Sequence, residues 1–199
     1  MTALFVVVAY LIGSFPTGFL LSRLLTGRDV RQVGSGNIGA ANVARLAGLK
    51  VGALVALLDI AKGVVPVALA SIATIGNAGL ALVAVAAVVG HDFSVFLRFK
   101  GGKGVATSFG VALILAPLAT AIALAIWVAV VALSRYSSLA SLLALAWLPI
   151  GMVATGRPLT HVLAGLALFL LAALRHWQNI IRLANGTERK LQTRPADGA

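Results

Sequence analysis

The sequence predicts an all-α polytopic membrane protein, and three observations carry that expectation. Of 199 residues, 60% are hydrophobic and 11% charged, against about 45–50% and about 25% in a soluble domain. Mean hydropathy is +1.03. The apolar residues also run in continuous stretches, each near the ~20 residues that a helix needs to cross ~30 Å of hydrocarbon. Continuous runs argue against a β-barrel, whose strands alternate. The composition excludes an ordinary soluble enzyme and a disordered chain. There is no Cys, hence no disulfide, thiolate metal site or cysteine nucleophile. Sixteen Lys+Arg face five Asp+Glu, a net charge of +11. These charges sit between apolar stretches, so the expected partners are membrane lipids with anionic head groups and anionic substrates, not nucleic acid.

The elements follow in order. Residues 3–21 form the first span, kinked at Pro16; no basic segment precedes it, which argues against a signal peptide. A glycine-rich basic loop occupies residues 26–50. Residues 51–75 and 78–97 are the second and third spans, and a basic loop at 98–104 follows. The stretch 105–133 is long and interrupted by Pro117. Residues 139–155 and 159–174 are two further spans, joined by Gly156, Arg157 and Pro158. One integral membrane domain is expected over residues 1–192, with a disordered tail at 193–199.

Arginines cluster directly after the first span (Arg23, Arg28, Arg31) and none precedes it. The positive-inside bias therefore puts the N-terminus outside and the 26–50 loop in the cytoplasm. Two crossings return the 98–104 loop to the same side. A basic tail (Arg175, Arg182, Arg189, Lys190) belongs there too, which requires an even number of crossings between Lys103 and Arg175. Parity thus makes 105–133 a hairpin of two short helices broken near Pro117, seven helices in all. The freed backbone at the break needs shielding by protein.

The polar residues gather in three segments. The first is GSGNIGAAN at 34–42, followed by Arg45. It reads equally as an anion cradle or as a capped flexible loop. The second is FKGGKGVATS at 99–108, a glycine loop opening a helix, where free N–H groups and the helix dipole favour phosphate. It lacks the Walker A spacing, so ATP is not indicated. The third is RHWQNIIR at 175–182, with His176 and Asn179 on one helix face and Glu188 beyond. Asp59 and Lys62 lie inside a span at i,i+3. They form either a functional pair or an ion pair that braces the loops. His91 lies near the glycine loop. No His/carboxylate constellation has metal-ligand spacing, so no metal is expected.

Donors outnumber possible bases, and no Ser/His/Asp triad is present. Such a set suits two anionic groups meeting at a lipid surface. Two phosphates about 5 Å apart, each near −1.5 to −2, repel by roughly 8–13 kcal/mol at an effective dielectric of 20, so several cations must converge. The rival reading is a membrane transporter of phosphate or an organic phosphate. Against it, the clusters all lie on one face.

GSGNIGAANVAR (34–45), DIAKG (59–63), GHDFSVFLRFKGGKGVATS (90–108), SLAS (138–141) and RHWQNIIRLANGTERK (175–190) together resemble the bacterial acyl-phosphate:glycerol-3-phosphate acyltransferase family, in order and over nearly the whole chain. Ala41 departs from the family's usual Thr. The resemblance implies transfer of a fatty acyl group from acyl phosphate to the sn-1 hydroxyl of glycerol 3-phosphate, giving lysophosphatidic acid and phosphate. This is the first step of phospholipid synthesis, with no cofactor and no metal, on the cytoplasmic face of the bacterial inner membrane. It implies that Gly101, Gly102, Lys103, Gly104, Val105, Ala106, Thr107 and Ser108 hold acyl phosphate. Ser35, Asn42, Arg45, Lys103 and Ser141 would hold glycerol phosphate. Catalysis would rest on Ser35, Arg45, Lys103, His176 and Asn179, with Asp59, Lys62, His91 and Glu188 supporting. The base is His176 or the acceptor's own phosphate.

The hairpin has a direct test, because the chain lacks native Cys. Ser137→Cys should react with an impermeant thiol reagent only from the face that carries the basic loops; reaction from the other face would leave 105–133 as a single span.

Overall fold

A computed structural model describes residues 1–191 as ten α-helices, with no strand among the described residues. The expected tail at 193–199, and residue 192, lie outside that range. The helices are α1 (Thr2–Ser14), α2 (Thr17–Thr26), α3 (Ala40–Ala47), α4 (Leu49–Ile72), α5 (Gly76–Asp92), α6 (Val105–Leu115), α7 (Pro117–Ser134), α8 (Ser137–Ala154), α9 (Leu159–Arg175) and α10 (Trp177–Ala184). Five stretches are long and apolar enough to cross a membrane: Thr2–Thr26, Leu49–Ile72, Gly76–Leu97, Pro117–Ser134 and Ser137–Ala154. A sixth is α9 with α10, bent by 65° at their junction.

The break in the first span falls at Phe15–Pro16, since proline cannot donate to the helix and forces its predecessor into an extended conformation. The loop expected at 26–50 is more ordered than its glycines suggested. It contains a 3-10 turn at Val30–Gln32 and the eight-residue helix α3. The C-terminal segment likewise contains α10 rather than a plain continuation of the last span.

The hairpin at Pro117 is unequal. Its first arm, α6, has 11 residues, but its second, α7, has 18 and is long enough to cross. The expectation of two short helices is corrected to one. The apolar run from Pro117 to Ser134 is uninterrupted, so nothing stops α7 early. At the break, side chains add hydrogen bonds to the carbonyls that begin α7. Thr120 Oγ1 donates to Ala116 O at 2.9 Å and Trp147 Nε1 to Ala119 O at 3.2 Å. Ala116 and Ala119 are fully buried, as hydrocarbon requires of irregular backbone.

The hairpin also places the α7–α8 connection at the same end of the bundle as the basic segments. Leu191 N donates to Arg135 O at 2.8 Å, and Ser138 Oγ to Glu188 Oε1 at 2.9 Å. Arg157 lies at the other end, beyond the 18 residues of α8.

The helices approach closely through small residues, which is how bundles pack when lipid offers no hydrophobic contrast. The α1–α5 contact sets Gly13 on the Ala87 carbonyl and Gly90 on the Tyr10 carbonyl. The α4–α6 contact sets Gly63 on the Thr107 carbonyl and Gly110 on the Ile60 carbonyl. A core of Ala70, Ala84, Ala87, Val111, Ala112 and Leu145 fills the space between. A Cβ at Gly90 would meet rigid backbone rather than a movable side chain. Gly90→Ala should therefore cost about 1–3 kcal/mol, read as a lowered thermal midpoint in detergent; an unchanged midpoint would refute this packing.

Candidate functional site

A cavity of about 540 Å³ opens at the end of the bundle where the basic segments meet. Its polar wall is built from the 34–45 segment, the loop before α6, the start of α8, and α10 with the residues after it. Its apolar wall comes from Ala53, Ala56 and Ile60 of α4, Phe109 of α6, and Leu124 and Trp127 of α7. One cavity thus offers cationic groups at one side and an apolar trough at the other.

The 34–45 segment is held by Asn42. Its Nδ2 donates to the carbonyls of Val30, Val33 and Asn37 at 2.9, 3.0 and 2.9 Å, and its Oδ1 accepts from Ser35 N at 3.0 Å. The side chain is 3% exposed. Asn42 was expected to bind substrate; instead its amide donors are committed to the loop, and it positions Ser35 and Arg45. Ser35 is exposed at the cavity wall. Arg45, on α3, lines the cavity and makes no hydrogen bond or ion pair among the described residues. Burial, and then the nearby Arg189, pull its pKa below the ordinary guanidinium value.

The glycine loop is locked from two sides. Gly101 N donates to Asp92 O at 3.2 Å and Gly102 N to His91 O at 2.9 Å. Arg175 donates Nε to Gly102 O at 2.9 Å and Nη2 to Gly101 O at 3.2 Å. A Cβ on Gly102 would occupy the His91 ring, so only glycine fits there. Gly101 and Gly102 therefore build the loop rather than offer donors, a correction to their expected role. The N–H groups of Lys103, Gly104, Val105, Ala106 and Thr107 have no acceptor among the described residues. Lys103, Gly104, Val105 and Ala106 also line the cavity. Gly104 enters α6 with φ +67°, a conformation glycine adopts without strain. Free amides at a helix N-terminus favour an anion. Thr107 and Ser108, expected to add hydroxyls, are fully buried and line no part of the cavity.

A polar chain crosses the far wall. Lys103 Nζ donates to Asn179 Oδ1 at 2.5 Å, Asn179 Nδ2 donates to Glu188 Oε1 at 2.6 Å, and Arg182 Nε donates to Glu188 Oε2 at 2.8 Å. Glu188 thereby fixes α10 against α8, and its hydrogen bonds to Asn179, Arg182 and Ser138 outweigh burial and hold its pKa below the usual carboxylate value. Asn179 presents Lys103 to the cavity. His176 marks the α9–α10 bend, where its Nδ1 donates to Ala172 O at 2.8 Å. That bond leaves the lone pair on Nε2, and the residue lines the cavity. Ser141 also lines it, but its hydroxyl donates to Ser137 O at 2.7 Å and accepts from Trp127 Nε1 at 3.2 Å.

Beneath the site lies the ion pair inside α4. Lys62 Nζ is 2.9 Å from Asp59 Oδ1 and donates to Phe15 O at 3.0 Å; Thr17 Oγ1 donates to Asp59 Oδ1 at 2.5 Å. His91 Nδ1 stands 3.8 Å from the same carboxylate oxygen. The four supporting residues expected from the sequence thus fall into two groups, Asp59, Lys62 and His91 below and Glu188 at the side. Thr17, Arg175 and Ser138 were not anticipated, because each acts through a partner more than 40 positions away.

The family described as glycerol-3-phosphate acyltransferase matches residues 3–186. A glycerol-3-phosphate acyltransferase of Desulforudis audaxviator is 48% identical over 187 residues, covering 94% of this chain and 93% of that protein. One of Myxococcus xanthus is 49% identical over 192 residues, covering 96% and 100%. A crystal structure of PlsY, an integral membrane glycerol 3-phosphate acyltransferase in its glycerol 3-phosphate form, superposes with a TM-score of 0.92 at 37% identity over 96% of both chains. Its lysophosphatidic acid form gives 0.89 at 35%, again over 96% of each.

Lys103 sets a pH dependence. Burial pushes its pKa down to about 8, with Glu188 opposing and Arg182, Arg175 and Arg45 assisting the fall. A phosphate monoester is already a dianion above its second pKa of about 6, so binding should weaken as pH rises through 8 and Lys103 loses its proton. Titrating a phosphate monoester at several pH values checks this; in Lys103→Arg the decline should vanish.

Proposed function

The chain belongs to the glycerol-3-phosphate acyltransferase family, and from that premise we propose that it transfers a fatty acyl group from acyl phosphate to the sn-1 hydroxyl of glycerol 3-phosphate. The products are lysophosphatidic acid and inorganic phosphate. The observation that carries this reading is the joining, in one cavity, of a locked anion site at the α6 N-terminus, a second cationic wall at Arg45, and an apolar trough between α4 and α7.

The acceptor hydroxyl oxygen attacks the acyl carbon, the bond from that carbon to the bridging phosphate oxygen breaks, and phosphate leaves with its electron pair. Acyl phosphate carries its own leaving group, so positioning and charge stabilisation supply most of the catalysis. The free amides from Lys103 to Ala106 hold the donor phosphate. Ser35 and Arg45 hold the acceptor phosphate, and Lys103, fixed by Asn179, spans the gap between the two anions. His176 Nε2 accepts the hydrogen bond of the acceptor hydroxyl; its proton leaves to that nitrogen or to the acceptor's own phosphate. The acyl chain rests on Phe109 between α4 and α7. We place this end of the bundle on the cytoplasmic face of the bacterial inner membrane, with the N-terminus outside, seven crossings in all, and no metal in the reaction. All the polar wall comes from one end of the bundle, which suits an interfacial transferase and not a transporter.

The purified protein in lipid should form lysophosphatidic acid from palmitoyl phosphate and labelled glycerol 3-phosphate, and none from palmitoyl-CoA. Product from the CoA ester would overturn the donor assignment. Arg45→Ala should abolish turnover with an unchanged thermal midpoint; near-normal turnover would remove Arg45 from the site.

A further inference from the structure

We propose that Arg189 is a further phosphate-binding residue, which clamps the acceptor phosphate together with Arg45 from a strap laid across the cavity mouth. The strap begins where α10 ends. Gly186, at φ +68°, turns the chain back, and Thr187 N donates to Arg182 O at 2.8 Å. Glu188 is then fastened to Ser138, Asn179 and Arg182. Past Arg189, Lys190 Nζ lies 5.6 Å from the centre of the Tyr136 ring, and Leu191 N donates to Arg135 O at 2.8 Å. The segment is anchored on both sides of Arg189, between α10 and the α7–α8 connection.

Arg189 itself is exposed, lines the cavity, and makes no hydrogen bond or ion pair among the described residues. Its Nη1 lies 4.0 Å from the position a Cβ on Gly34 would take, beside Ser35. Arg45 lines the same cavity, also without a hydrogen bond or ion pair among the described residues. The neighbouring carboxylate, Glu188, is committed to three other groups. Two guanidinium groups therefore line one space with no ion-paired carboxylate among the described residues, and they repel each other until an anion enters. Guanidinium forks match phosphate geometry bidentately. Arg189 stands at the 34–45 segment rather than at the α6 N-terminus, so the anion it meets is the acceptor's phosphate.

This inference rests on the acyl-transfer reading, and the test separates the two. Wild type, Arg189→Gln and Arg189→Lys are compared in lipid with palmitoyl phosphate and glycerol 3-phosphate. In Arg189→Gln the KM for glycerol 3-phosphate should rise about 10- to 100-fold, the loss of one charge-assisted contact. The KM for palmitoyl phosphate should not move, and Arg189→Lys should recover part of the loss. An unchanged KM for glycerol 3-phosphate, or an equal rise in both KM values, overturns the clamp. Titration of glycerol 3-phosphate without donor gives a readout independent of turnover. Weaker binding in Arg189→Gln supports the clamp and equal binding refutes it, whereas an inactive wild type would refute the acyl-transfer reading alone.

Discussion

The structure depends on a charged pair that hydrocarbon would not tolerate unpaired. A charged side chain at a helix centre costs about 2.5–3.5 kcal/mol on insertion, and breaking a buried pair costs more than never having it. Asp59 and Lys62 are 2% and 7% exposed. They escape that penalty by pairing with each other and by drawing in Thr17 and the Phe15 carbonyl. Both of those groups lie at the proline break of the first span. The break frees a backbone carbonyl, and the lysine takes it up. On the other side His91 stands over the carboxylate and packs its ring against Gly102. The pair thus joins α2, which leads into the 34–45 segment, to the loop that opens α6. Two separate cavity-lining segments share one foundation.

Above that foundation, neutral and acidic groups space the cations rather than cancel them. Glu188 pairs with Arg182 and holds Asn179, and Asn179 in turn points Lys103 inward. Arg175 faces away from the cavity to pin the glycine carbonyls. Lys103, Arg45 and Arg189 are left lining the cavity without an ion-paired carboxylate among the described residues. The proposed meeting of two mutually repelling phosphates needs that imbalance, and the hydrogen bonds of Glu188 to Ser138, Asn179 and Arg182 leave it in place.

Much of the site was legible in the sequence where function and local chemistry coincide. The glycines of 101–104 marked a helix N-terminus, and Gly104 does adopt the left-handed turn that opens α6. His176 and Asn179 meet at the cavity, although a bend rather than a straight helix brings them there. Asn42, Ser141, Gly101 and Gly102 were harder. Each lies within a conspicuous motif, but hydrogen bonds inside the protein engage its polar groups. A sequence motif does not distinguish a residue that touches a ligand from one that holds its neighbour, because both require the same residue type. Arg189 was read as part of a basic tail, since nothing local shows that the chain doubles back over the mouth.

Composition, hydropathy and proline positions are enough to assign the chain to a membrane and to position most of its spans, and the positive-inside expectation asks for a hairpin at Pro117. Hydropathy and proline act through near neighbours and the surrounding lipid, so they are written locally. The length of each hairpin arm, the donors left free and those committed, and the cations that share a cavity emerge once the helices pack. Those outcomes depend on hydrogen bonds between residues 40 to 80 positions apart, such as Thr17 with Asp59 and Lys103 with Asn179. Their strength comes from burial, which no single segment possesses until the helices pack.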